Sequence, residues 1–241
     1  MPPKAQQEWF QRLDDRFWLR PDEVGQEEAA FIRNALHLRR GQCVLDAPCG
    51  AGRIAVHLAN AGCIMTGVDL RESFIKRARA RFRKERLSGR FLALDLRELD
   101  FFGEFHAIYN WFGSFGYFSD NENEDLIGRY ARALRPGGRL LIDQPNREFI
   151  LRHFRAEISN GAHVTRNRYD VGTQRVISTW SDQGKRGAAG ISSMRLYTLG
   201  QEQRLLRRAG LEIECVYGSH DGSQFNRGSR RMILVARKER A

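Results

Sequence analysis

No run of about 18 apolar residues occurs anywhere in the chain, which excludes a helical membrane span at the level of sequence. The opening stretch, MPPKAQQEWFQRLDD, is too polar for a secretory signal. The expectation is a soluble, cytoplasmic protein. Cysteine is scarce: Cys43, Cys49, Cys63 and Cys215 are scattered without a CxxC pair. That spacing argues against a disulfide framework and against a metal site, and leaves reduced core thiols. Internal repeats and low-complexity tracts are also missing. Lysine occurs only at positions 4, 76, 84, 185 and 238, so the other 35 of the 40 basic residues are arginine, spread along the whole length. The net charge of +11 points towards an anionic partner such as nucleic acid. Arginines dispersed in this way form no stripe, however, and read more simply as a solvated surface.

What is present is a regular alternation. Two amphipathic segments, about 4–19 and 22–38, precede the strand CVLDA at 43–47. Then come the strand CIMTGVDL (63–70), a helix over 71–87 with Phe74, Ile75, Ala78 and Phe82 on one face, and the strand RFLALDL (90–96). A fourth strand, EFHAIYNWF (104–112), leads to a helix carrying Leu126, Ile127, Tyr130 and Leu134, and RPGG turns into a fifth, RLLIDQP (139–145). This βαβα rhythm predicts a Rossmann-like, doubly wound, mostly parallel sheet with helices on both faces. After Asn146 the rhythm breaks. Residues 159–198 hold strand-like stretches separated by glycine turns, an antiparallel insertion after strand five. Thr198 and Gln201 then form a capping box for a helix, and strands at 211–217 and 229–237 pair as a hairpin. Seven strands in the main sheet and a single 1–241 domain are expected, with 1–40 as an N-terminal helical cover and 147–198 as a substrate-covering insertion. Trp9, Phe10, Leu13, Phe17 and Trp18 give the first segment an apolar face large enough for a lid over the site.

The stretch VLDAPCGAGRIAVHLAN (44–60) is a strand, a tight glycine-bearing turn and a helix. Gly50 and Gly52 let the backbone turn sharply and approach a ligand, and free amides at a helix start favour electron-rich groups. With Ala55 they satisfy the lenient GxGxxA dinucleotide pattern, which by itself separates no adenosine-containing ligand from another. Three acids narrow the choice. Asp46 at the tip of the first strand would repel a pyrophosphate and welcome an amino group. Asp69 ends the second strand where a ribose-binding acid belongs, and Asp95, within ALDL, is placed to accept from an adenine amine. Each also has a plainer reading: Asp46 as a partner of loop amides, Asp69 as a helix cap at 71, Asp95 as the end of a strand.

These residues resemble the class I S-adenosylmethionine-dependent methyltransferases over about 31–145, and more loosely over 197–237. VLDAPCGAGR is similar to the family's first motif, an acid followed by GxGxG, with Pro48 in place of the first glycine as in a small-molecule-type branch. The resemblance implies that Asp46, Ala47, Cys49, Gly50 and Gly52 border the cofactor. GVDL resembles the second motif, with Asp69 on the ribose and Leu70 against adenine. ALDL resembles the third, with Asp95 and Leu96 at the adenine. YNWFGSFGYF stands in place of the fourth, so that Asn110 and its neighbours face the methionine part and the substrate.

The reaction so implied is in-line methyl transfer from S-adenosyl-L-methionine to a small-molecule acceptor. A general base is needed only for a protonated nucleophile; Tyr109, Asp143, His153, Tyr197 and His220 are the candidates. Arg147, Arg152, Arg155, Arg166, Arg168, Arg175 and Arg195 of the insertion could meet a carboxylate or phosphate on an anionic acceptor. The alternatives are an RNA methyltransferase and a non-catalytic adenosine-ligand-binding protein. Against the first, amino-methylating enzymes of that kind carry an acid or asparagine followed by PP and an aromatic where this chain reads NWFG. There is also no appended RNA-binding module and no clear stacking platform in 159–198. A nicotinamide oxidoreductase fits less well still. The sequence does not speak to oligomeric state.

Overall fold

The computed structural model describes residues 21–159, 163–182 and 190–240; the segment read as a lid lies outside them. Helix α1 (Glu23–Ala35) leads into strand β1 (Cys43–Asp46), and α2 (Ala55–Asn60), β2 (Ile64–Asp69), α3 (Glu72–Lys84), β3 (Gly89–Ala93), β4 (Phe105–Asn110), α4 (Asp120–Ala133) and β5 (Leu134–Pro145) follow. After α5 (Arg147–Arg152) come β6 (Glu157–Ser159), β7 (His163–Asp170), β8 (Arg175–Asp182) and β9 (Gly190–Arg195). The chain closes with α6 (Leu199–Arg208), β10 (Leu211–Tyr217) and β11 (Arg231–Lys238).

The main sheet has seven strands in the order β10-β11-β5-β4-β1-β2-β3. β1 to β5 are mutually parallel, β11 runs antiparallel to β5, and β10 and β11 pair antiparallel. Alternation along the strands explains the two covered faces. Val44, Ala107, Tyr109, Leu141, Ile233 and Val235 enter one core with residues of α1, α2 and α3. Their neighbours Leu45, Ile108, Leu140, Ile142 and Leu234 enter the other with α4 and α6. A period of two with both faces buried is the mark of a doubly wound sheet.

Two local readings shift. RPGG is not a turn ahead of β5 but a slip inside it: Phe105 pairs with Leu134 and pairing resumes only at Ala107 with Arg139, with Gly137 at φ +74° taking up the extra residues. β3 stops at Ala93, and Asp95 caps a single 3-10 turn (Leu96–Glu98) instead of ending the strand. The expected capping box at Thr198 is present, with Gln201 N–H donating to the threonine hydroxyl.

The insertion is a separate four-stranded antiparallel sheet, β6-β7-β8-β9. It is fastened beside the carboxyl end of β4: Arg195 N–H donates to Gly116 O at 2.8 Å, and Arg175 Nη2 donates to Gly116 O and Phe118 O. Gly116 has no room for a side chain there, since a Cβ would lie 2.7 Å from Arg195 O.

Where α6 meets β5, Glu202 is fully buried and accepts from Gln144 Nε2 at 2.8 Å through one oxygen only. Burial pushes its carboxyl up to about 7. The folded state therefore holds a proton that the unfolded chain releases near the ordinary value. The added stability is full below that value and is lost as pH rises through about 7, a span worth about 3 kcal/mol at 1.36 kcal/mol per pH unit. Glu202→Gln mimics the protonated form. It is expected to remove this slope from urea midpoints measured between pH 5 and 8.5, and to be the more stable protein at the alkaline end.

Candidate active site

Each central parallel strand ends in a buried polar side chain: Asp46 on β1, Asp69 on β2, Asn110 on β4 and Asp143 on β5 are all at most 2% exposed. Polar groups are rarely buried without partners, so their contacts define what this edge of the sheet does.

The glycine turn is held by Asp69. Gly50 N–H donates to Asp69 Oδ2 and Arg71 N–H to Asp69 Oδ1, each at 2.9 Å, so one carboxylate ties the loop after β1 to the start of α3. Asp69 does not cap α3 itself: the N-cap position is Arg71, which makes no side-chain cap bond, and Asp69 holds only the Arg71 N–H ahead of the helix. The two glycines have different surroundings. A Cβ on Gly52 (φ +72°) would lie 3.0 Å from the Ala78 Cβ of α3, whereas one on Gly50 (φ +51°) would meet nothing within 4 Å. Gly52 allows close packing of α3, and Gly50 faces open space. Cys49 is buried behind the turn; burial, Asp46 and Asp69 push its thiol up, so it stays protonated. Burial likewise drives the Asp46 carboxyl well above the carboxylate range, and the neighbouring Tyr109 phenol pulls the other way.

Next to the turn, Leu70, Ala93, Leu94, Asp95, Arg97 and Glu98 line a cleft of about 310 Å³. Leu70 and Asp95 meet there; Leu96 points into the core instead. Asp95 accepts from Arg97 N–H and Arg97 Nη2 at 2.9 and 2.8 Å, and Arg97 also donates to Glu122 and lies over the Phe118 ring. The Ala47 carbonyl accepts from Asn110 Nδ2 and from the Tyr130 hydroxyl, while Asn110 Oδ1 is buried without a partner among the described residues.

Of the five candidate bases, the structure brings two together. Asp143 accepts from Phe112 N–H (2.9 Å) and Arg231 Nε (2.7 Å), and His220 Nε2 lies 3.4 Å from its Oδ2. Burial would raise the Asp143 carboxyl, but His220 and Arg231 outweigh it and hold it below its ordinary value. His220 stands in the loop between β10 and β11, its ring 4.5 Å from that of Trp111 and 6.4 Å from that of Phe31 on α1. Phe31 also packs on Trp111 and Tyr217.

The other three lie elsewhere. Tyr109 is wholly buried beside Asp46, and burial raises its phenol far above the range of a base. Tyr197 packs against Phe115 in the core, also with its phenol raised by burial. His153 is exposed at the end of α5, stacked on Phe149.

The turn NWFG is tightly bent: Phe112 takes φ +64°, which costs a residue with a Cβ on the order of 1–3 kcal/mol. Its N–H bond to Asp143 and the Gly113 N–H bond to Asp143 O hold it so. Sequence reasoning did not single out Trp111 or Arg231; the signal available was an aromatic pair next to a glycine at a strand end. Four of the seven insertion arginines have other work. Arg175 and Arg195 reach Asp120 and backbone carbonyls, Arg166 pairs with Glu157 and Arg168 with Asp170.

Comparison with known proteins gives this geometry a family. Residues 44–138 match the family described as a methyltransferase domain. The 27-O-demethylrifamycin SV methyltransferase of Amycolatopsis mediterranei (strain S699) is 30% identical over 230 residues, covering 92% of this chain and 73% of that one. A shorter match, 32% identical over 101 residues, spans 42% of this chain and 41% of a protein of Geobacillus sp. (strain WCH70) whose name assigns it to the methyltransferases without an acceptor. In fold, an S-adenosylmethionine-dependent methyltransferase from Clostridium acetobutylicum ATCC 824 superposes with a TM-score of 0.75 at 15% identity, over 88% of this chain and 91% of that one. The chain belongs to the class I S-adenosylmethionine-dependent methyltransferases.

Proposed function

We propose that the protein transfers a methyl group to a small-molecule acceptor at the carboxyl ends of β4 and β5, with His220 as general base and Asp143 as the residue that orients it. The observation that carries this is the Asp143–His220 pair, an imidazole on a buried carboxylate beside the strand tips that border the cofactor. Support for a small acceptor comes from the relative that acts on 27-O-demethylrifamycin SV, and from the insertion sheet seated next to the same strand ends. The residues present fit S-adenosyl-L-methionine: open space over Gly50, the cleft at Leu70 and Asp95 for the adenine, and an unpartnered buried oxygen on Asn110. When bound, that cofactor supplies an electrophilic methyl on a sulfonium. The chain's own task is then alignment, for which effective molarities of about 10⁵–10⁸ M are attainable, and proton removal. Asp69 holds the ribose, Leu70 packs on the adenine, and Asp46 and Asn110 face the amino-acid end.

Binding of S-adenosylmethionine and its demethylated product is expected at micromolar levels, with none for NADH. Asp69→Ala should weaken it by about 1.5–3 kcal/mol, the worth of hydrogen bonds to a charged group. An unchanged affinity by calorimetry would remove the ribose assignment. The acceptor class is tested by supplying tritiated methyl donor with a metabolite panel and with transfer and ribosomal RNA as competitors. Label is expected on a small molecule. Label in a defined RNA at physiological salt, where phosphate contacts are screened, would replace this reading with RNA methylation.

A further inference from the structure

The indole nitrogen of Trp111 is buried and donates to nothing among the described residues, although the residue is only 4% exposed. Buried donors are almost always paired, and one left over at a site marks a place for a missing partner. Two features fix what that partner can be. First, the Trp111 ring lies against His220, centroids 4.5 Å apart and planes 33° from one another. His220 gives Nε2 to Asp143, and its Nδ1 has no hydrogen bond among the described residues. An unpaired N–H donor and an unpaired imidazole nitrogen therefore sit on adjacent rings. Second, the buried Asp143 carboxylate is already engaged by Arg231, Phe112 N–H and His220. The pair Asp143–Arg231 is neutral as a unit and offers no uncompensated negative charge to an ammonium group.

We propose that Trp111 and His220 together form a subsite for a hydroxyl acceptor, with the indole N–H donating to the acceptor oxygen and Nδ1 of His220 taking its proton. This rests on the small-molecule methyl-transfer reading above. The electron count favours oxygen over nitrogen. A hydroxyl oxygen has two lone pairs: one accepts from Trp111, the other attacks the methyl carbon, and the O–H proton points to the imidazole. A neutral amine has a single lone pair, and accepting from Trp111 would occupy the pair it needs for attack. In the step itself the acceptor oxygen forms the new C–O bond, the electrons of the breaking S–C bond return to sulfur, and the proton ends on His220 before release to water. Phe31, Trp111 and Tyr217 make the wall apolar and aromatic, which suits a planar hydroxyl compound.

Phenol and aniline, matched in shape and different only at the reacting group, are the probes. With indole-15N-labelled protein saturated with S-adenosylhomocysteine, phenol is expected to shift one indole N–H resonance downfield, and that resonance should be the one missing from Trp111→Phe. Aniline at equal concentration should leave it in place. In the methyl-transfer assay the label should appear on the phenol oxygen, and Trp111→Phe, which keeps an aromatic ring at that position, should lose about tenfold or more in kcat/KM while calorimetry gives unchanged affinity for the cofactor. No shift with phenol, an equal shift with aniline, or methyl transfer to nitrogen would overturn the assignment while the methyl-transfer reading stands. Failure to bind S-adenosylhomocysteine at all would remove that reading and this proposal with it.

Discussion

Glutamine in place of His220 is expected to lower kcat for methyl transfer by two to four orders of magnitude, the usual worth of a positioned general base. The substitution keeps a flat polar group against Trp111 and retains an amide N–H that can still meet Asp143, so the fold and the affinity for S-adenosylmethionine should hold. The effect should fall on kcat and not on cofactor binding, because His220 is separate from the glycine turn and from the cleft at Leu70 and Asp95. Asp143→Asn should lower kcat by less, since the amide oxygen can still orient the ring while the charge that supports an imidazolium is gone. A His220→Gln enzyme with wild-type kcat would return the role of base to the acceptor itself.

The sheet was legible in the sequence because its strands are buried on both faces and read as apolar runs, as in Val44–Leu45, Ala107–Ile108 and Leu140–Ile142. The acids at the strand tips were legible for the same reason: a charged residue ending such a run has few explanations. What escaped was short or distant. β6 is three residues long and exposed throughout, and α5 has six residues and none buried, so neither carries a hydrophobic pattern. The slip at RPGG depends on pairing with β4, which no local pattern encodes. Asp143 and His220 are 77 positions apart and meet only because β11 returns beside β5; sequence gave both as candidates with three others and no means of pairing them. Arg231 looked like one arginine among many, yet its place at the first residue of β11 puts it on Asp143.

Valine at Gly50 and valine at Gly52 are expected to fail in opposite ways, although both glycines lie in the same turn at positive φ. At either site the left-handed backbone costs a residue with a Cβ on the order of 1–3 kcal/mol. At Gly52 the added carbon would also press on Ala78, 3.0 Å away and on the buried face of α3, so α3 must move off the sheet. Overpacking of this kind costs a further 1–3 kcal/mol or so, and Gly52→Val should lose a large share of a typical domain's margin of about 5–15 kcal/mol, seen as a large drop in Tm. At Gly50 nothing within 4 Å opposes the new side chain, and the bond to the Asp69 carboxylate uses only the backbone N–H of residue 50, which any residue but proline keeps. Gly50→Val should therefore stay folded, with Tm lowered only by the backbone term. Its side chain, though, would fill the space above the turn into which the cofactor must settle. Affinity for S-adenosylmethionine should fall by about a hundredfold or more, a loss of about 2.8 kcal/mol at 1.4 kcal/mol per tenfold, and methyl transfer at micromolar cofactor should disappear with it. Calorimetry on the folded Gly50→Val protein decides the matter. Near wild-type binding would mean that the cofactor does not lie over this turn.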